Sequence, residues 1–138
     1  MIKRTYPNSR LRRTRAKGFL RDLVAENNLT TDDLIQPIFI ADQSENQIEI
    51  PSMPGIYRHN LDSLYSEVEV ISRQEIKSVA IFPAIDSSKK DQEGSHALDE
   101  KNIVCLALSG IAERFPEIIK IADVALDPYT DNGHDGLL

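Results

Sequence analysis

Three short apolar runs, separated by two stretches of helical periodicity, constrain this chain more than any other feature. Pro37-Ile38-Phe39-Ile40, Ser78-Val79-Ala80-Ile81-Phe82 and Ile118 to Leu126 each read as a buried strand. Proline is tolerated at the first position of the first run, and Pro83 is expected to stop the second. Between the first two runs, Leu61, Leu64, Val68 and Ile71 recur at helical spacing behind Asn60, an N-capping residue type, and the helix is expected to end near Arg73. Between the second and third, a helix starting around Asp99 should carry Ile103, Val104, Leu106, Ala107 and Ile111 inward and stop before Pro116. Alternating strands and helices, with strands apolar on both faces, predict the α/β class: parallel strands with helices packed outside.

The connections carry turn chemistry. Ala41 to Gln47 and Asp86 to Ser95 are polar loops, and Pro51-Ser52-Met53-Pro54-Gly55 is a rigid turn. A parallel sheet of three strands leaves both edges open and offers few helices to cover its faces. A complete α/β barrel takes about 250 residues, and this sequence has 138, stopping in a loop at Leu138. The expectation is a part of a larger fold, divided into a basic arm with a short helix over 1–28 and the strand–helix body over 29–138.

Composition excludes several classes. With 41% hydrophobic and 28% charged residues the chain reads as soluble and globular. No apolar run is long enough to span a membrane, and the N-terminus lacks the apolar core of a secretory signal. The single cysteine, Cys105, rules out an internal disulfide and suits a reducing cytoplasm. Its neighbours Ile103, Val104, Leu106 and Leu108 predict a buried thiol.

The net charge of −6 conceals an asymmetry. Lys3, Arg4, Arg10, Arg12, Arg13, Arg15, Lys17 and Arg21 precede the first acidic residue, Asp22, which leaves eight positives against twenty-two negatives, a balance of −14, in the remainder. Such an arm can bind nucleic acid, serve as an organelle transit segment, lie across an acidic protein surface, or stay solvated. The body itself supplies an acidic surface, on this copy or a second one, and the arm lacks the aromatics that stack single-stranded bases. No nucleic-acid partner is expected. After the arm, Lys17 to Glu26 can form a short helix with Phe19, Leu20, Leu23 and Val24 on one face.

The densest chemistry lies near the end: Asp123, Asp127, Asp131, His134 and Asp135 within thirteen residues. If the third strand runs to Leu126, Asp123 and Ala125 share a face and Asp127 follows the strand's C-terminal end, where ligands bind in α/β sheets and barrels. Carboxylates there could hold a hard cation or pair with an ammonium group; they could equally be turn caps in a solvated loop. Gly133 and Gly136 would let the loop fold back and bring Asp135 near Asp127. The segment 127–133 superficially resembles a calcium loop but lacks the glutamate spacing of an EF-hand.

Asp123-Val124-Ala125-Leu126-Asp127-Pro128-Tyr129-Thr130, continuing as Gly133-His134-Asp135-Gly136, resembles the active-site strand and lid of porphobilinogen synthases (5-aminolevulinate dehydratases). Three further stretches match that family in the same order: Arg10-Leu11-Arg12-Arg13 its basic arm, Pro51-Ser52-Met53-Pro54-Gly55-Ile56 its first loop, and Ala80-Ile81-Phe82-Pro83 its second strand. The resemblance implies the N-terminal part of a TIM (β/α)8 barrel that condenses two molecules of 5-aminolevulinate to porphobilinogen in tetrapyrrole synthesis. It also implies a homo-octamer in which the arm reaches around a neighbouring subunit. Asp123, Asp127 and Asp135 become the candidate substrate-binding residues. Some members bind zinc through three cysteines in this segment; here those positions are Ala125, Asp127 and Asp135. The resemblance therefore points away from zinc and toward magnesium, a monovalent cation or direct contact with the substrate amine, with Asp127 and Asp135 as candidate cation contacts; the family's regulatory magnesium site falls beyond Leu138. The family's two Schiff-base lysines fall beyond Leu138. Lys3, Lys17, Lys77, Lys89, Lys90, Lys101 and Lys120 match no catalytic position and read as solvated, so the chain alone is expected to be inactive and, with sheet faces uncovered, unstable. The alternative is a non-catalytic remnant or assembly module that docks onto a full-length or complementary subunit.

Overall fold

The structure is a computed structural model and describes residues 5–7, 9, 10 and 12–136. Lys3, Arg4 and Leu11 of the expected arm lie outside the described residues. Two compact units comprise residues 1–30 and 31–138.

In the first unit, a single 3-10 turn at Arg13–Arg15 precedes helix α1, Gly18–Leu23. The helix is six residues long, shorter than the expected 17–26. Lys17, at its N-cap, makes no side-chain capping bond, and so short a helix has little to hold it without a packed face. Phe19 and Leu23, expected to form its apolar face, are exposed.

The second unit holds a five-stranded sheet in the order β2-β3-β1-β4-β5. The strands are β1 (Gln36–Ala41), β2 (Gln47–Glu49), β3 (Tyr57–His59), β4 (Ser78–Ala84) and β5 (Ile119–Ala122), with helices α2 (Leu61–Arg73) and α3 (Ile103–Arg114) in the crossovers. β1, β3, β4 and β5 run parallel, and β2 pairs antiparallel with β3. Ile38 and Ile40 of β1 and Val79 and Ile81 of β4 project onto the helices. There they meet Leu64, Val68 and Ile71 of α2 and Ile103, Val104, Ala107 and Ile111 of α3. α2 begins where its sequence places the cap, Ser63 N–H donating to Asn60 Oδ1; α3 is capped by Asn102, whose Oδ1 accepts from Cys105 N–H.

Four features depart from the sequence reading. The hairpin β2–β3 was not anticipated, because each strand has three residues, too few to show alternation; the 50–56 turn that joins them was. That turn has Gly55 at a left-handed φ of 79°, its amide donating to Glu49 Oε1. β4 continues through Pro83 to Ala84, since β5 pairs only as far as Ile81 and leaves one side of β4 unpartnered at the proline. α3 starts at Ile103 rather than near Asp99, and Leu106 on it is exposed while Cys105 is only half-buried. β5 ends at Ala122, so Asp123 and Ala125 do not share a strand face.

Candidate active site

The parallel strands deliver Asp42, Asn60 and Asp123 immediately after their C-terminal ends, and Asp86 two residues past the end of β4. A cavity of about 410 Å³ opens at the ends of β1 and β4 and the starts of α2 and α3. Asp42 and Lys89 meet across its rim at 2.6 Å. That bond, with the charge of Asp42, raises the Lys89 pKa and holds it protonated. A Schiff-base nucleophile needs the opposite shift. Lys77, bonded to Asp32 at 2.6 Å, is likewise pushed upward. Asp86 accepts from Ser88 N–H and Oγ–H, which lowers its pKa.

The acidic segment lies beside this cavity's outer loop rather than in its lining. Asp123 accepts from the Ala125 amide at 3.1 Å, a side-chain turn that ends the strand locally. The loop then folds back at Gly133, φ 70°, as its glycines suggest. Asp135 Oδ1 accepts from Leu126 N–H at 2.6 Å and Asp127 N–H at 2.9 Å. The return of Asp135 to Asp127 is therefore real, and it is made through the backbone of 126–127. Thr130 donates from Oγ1 to the His134 carbonyl at 2.9 Å, tying the middle of the loop to its far arm. Tyr129 and Thr130 are buried, while Asp123, Asp127, His134 and Asp135 are exposed to solvent.

Burial of the Tyr129 ring raises its pKa and keeps the phenol neutral. The ring packs edge-on against His96 with centroids 6.1 Å apart. Among the described residues no group of three or more His, Cys, Asp or Glu side chains converges as a metal site. One oxygen of Asp135 is already committed to two amides. The described side chains by themselves do not form a cation cage, and a cation at Asp127 and Asp135 would need oxygen donors from outside this group.

Sequence reasoning missed what holds this loop. Asp91 Oδ1 accepts from Glu93 N–H and Ser95 N–H at 3.0 and 2.9 Å. The backbone of Asp91 pairs with Thr130, Asp91 N–H donating to Tyr129 O at 3.3 Å and Asp131 N–H to Asp91 O at 3.0 Å. The signal was present in Asp91-Gln92-Glu93-Gly94, an aspartate opening a turn closed by glycine; Gly94 takes φ 67°.

The sequence profile of the delta-aminolevulinic acid dehydratase family matches residues 8–138. This chain belongs to that family. The delta-aminolevulinic acid dehydratase of Bradyrhizobium diazoefficiens is 46% identical over 129 residues, 94% of this chain and 36% of that protein. That of Chlamydia pneumoniae is 42% identical over 128 residues, 93% and 39% respectively. The crystal structure of delta-aminolevulinic acid dehydratase (porphobilinogen synthase) from Toxoplasma gondii, in complex with its product porphobilinogen, superposes with a TM-score of 0.87 at 36% identity. It covers 94% of this chain and 37% of its own. The chain thus spans about 40% of the length of these dehydratases and corresponds to their N-terminal part. Its sheet and crossover helices are the opening portion of the dehydratase TIM barrel.

Proposed function

We propose that this chain supplies the carboxylates that follow β5 to a porphobilinogen synthase site, and that Asp123, Asp127 and Asp135 bind and orient the ammonium group of 5-aminolevulinate. The observation that carries this reading is the Asp135 clamp on the amides of Leu126 and Asp127, next to the C-terminal end of β5. It brings the exposed Asp135 carboxylate to the backbone of Asp127, past the end of a parallel strand, where α/β folds bind ligands. One Asp135 oxygen is used by the clamp, and the Asp127 carboxylate stays open to solvent. In this reading they attract the substrate cation and hold it for condensation of two substrate molecules with loss of water. The amine nucleophiles that this chemistry requires come from the remainder of a dehydratase barrel. An all-oxygen donor set at Asp127 and Asp135 would favour magnesium over zinc, with its remaining donors supplied from outside this group.

A second reading rests on charge. Eight of the sixteen basic residues precede Asp22, and the remainder carries −14. The arm suits an acidic subunit surface, so the chain acts in a cytoplasmic homo-oligomer, an octamer by likeness to the family, or as an assembly module without chemistry of its own.

The experiment that tests both is porphobilinogen formation from 5-aminolevulinate with magnesium. The purified chain is assayed alone and mixed with the C-terminal part of a dehydratase. Activity confined to the mixture, and reduced roughly tenfold or more by Asp127→Asn as expected for loss of a charge-assisted contact, supports the site. Substantial turnover by the chain alone would refute the requirement for outside nucleophiles. No turnover in the mixture despite complex formation leaves the assembly reading.

A further inference from the structure

The carboxylates above lie on an exposed loop, and a binding site there needs something to hold the loop still. Two facts identify what does. First, the 91–95 turn is folded around one side-chain oxygen: Asp91 Oδ1 takes the amides of Glu93 and Ser95, and these bonds lower the Asp91 pKa and keep it ionised. Second, the backbone of the same residue is the seat of the 126–136 loop. It accepts from Asp131 N–H, donates to Tyr129 O, and pairs in parallel with Thr130, which is 2% exposed. Gly94, at the crest of the turn, packs against Thr130, Tyr129 and Leu126, and a Cβ there would lie 3.5 Å from the Thr130 methyl. His96, just after the turn, meets the Tyr129 ring.

We propose that Asp91 is a positioning residue for the aspartates of the loop after β5: its carboxylate shapes the 91–95 turn, and the turn's backbone seats the loop so that Asp135 can clamp the amides of Leu126 and Asp127. The inference rests on the reading that these aspartates bind substrate. Its structural core is independent of that reading. Asp91 touches neither Asp127 nor Asp135; it acts through the Tyr129–Asp131 backbone and Thr130, whose hydroxyl reaches His134, the residue before Asp135.

The test is residue-resolved amide hydrogen exchange on the 138-residue chain, comparing Asp91→Ala, Asp91→Asn and the parent. Asp91→Ala removes the acceptor, and amide exchange at Asp131, Leu126 and Asp127 should rise about tenfold or more, while Ile40 and Ile81 keep their protection. Asp91→Asn keeps an oxygen acceptor and should restore the loop to within about threefold of the parent. Unchanged exchange at all three loop amides in Asp91→Ala overturns the proposal. So does an equal rise throughout β1 and β4, or parent amides at 126, 127 and 131 that exchange like an unfolded chain. Adding 5-aminolevulinate to the parent addresses the other reading separately: failure to perturb residues 123–135 counts against substrate binding and leaves the role of Asp91 standing.

Discussion

β4 and β5 are neighbours in one sheet, both apolar and both parallel, yet they end up in opposite environments. On β4, Ile81 has no exposed surface and Val79 none either. On β5, Ile119 is 58% exposed and Ile121 is exposed as well; just past the strand Val124 is 91% exposed. Residue type does not separate the two strands. β4 pairs with β1 over Val79–Ala84 and with β5 over Ser78–Ile81, so Val79 and Ile81 have a strand on each side, and two helices cover the face that carries them. β5 is the sheet edge, and its register sets Ile119 and Ile121 beside Ser78 and Ala80, on the face away from the helices. Phe39 and Phe82 occupy that same face, paired in register with ring centroids 5.9 Å apart, and both are only half-buried. Hydrophobicity creates a demand for cover, and only a neighbouring element meets it.

The strongest way to break this comparison is to make the same truncation on both strands. Ile81→Ala should lower unfolding free energy by about 2–5 kcal/mol, and Ile119→Ala by no more than about 0.5 kcal/mol, because its side chain is already largely in water. Urea denaturation followed by circular dichroism measures both. Equal losses would mean that β5 is covered in solution and that the difference between the strands is not intrinsic to the chain.

A smaller effect sharpens the helix side. Gly110 of α3 lies under Tyr65 of α2, and a Cβ there would sit 2.0 Å from the Tyr65 hydroxyl oxygen. The Tyr65 ring is itself capped by Arg114, 3.9 Å from the ring centroid. Gly110→Val should therefore cost about 1–3 kcal/mol through overpacking, and the combined Gly110→Val, Tyr65→Ala chain should regain part of that loss. If the double variant is no better than the sum of its singles, the seam between α2 and α3 is not where the clash falls.

The smallest expected effect concerns His59, a buried polar side chain. His59 is 7% exposed and its Nδ1 has no hydrogen-bond partner among the described residues; burial lowers its pKa below 6.5, only partly opposed by Glu67. The unfolded chain then binds the proton more readily than the folded one. The contribution of neutral His59 is complete above 6.5 and is lost as pH falls below that value toward the folded pKa. Thermal melts of the parent should drop between pH 7 and 5 more than those of His59→Gln. Parallel profiles would show that the imidazole is solvated in practice.

Much of the body was legible because its signals are local. Asn60 caps α2, Leu64, Val68 and Ile71 line its buried face, and Val79 and Ile81 are core, as periodicity requires. The folding back of the 127–136 loop was legible from Gly133 and Gly136. Two things were not: the early end of β5, where Asp123 prefers its own Ala125 amide to a strand ladder, and Asp91, thirty-nine residues from Thr130 in sequence and paired with it in space.

The sequence by itself determined β1, β4, β5 and the two helices of the body, the parallel α/β class and the clustering of acidic residues near the end, because capping, periodicity and turn chemistry act between residues a few positions apart; its motifs carried the resemblance to the family. Tertiary structure alone decided which apolar strand is buried and which is bare, that Leu106 faces outward, and that the acidic loop is held by the 91–95 turn. Those outcomes depend on which backbone groups from distant segments find each other, and a buried amide or carbonyl takes its partner from whatever the fold brings within reach.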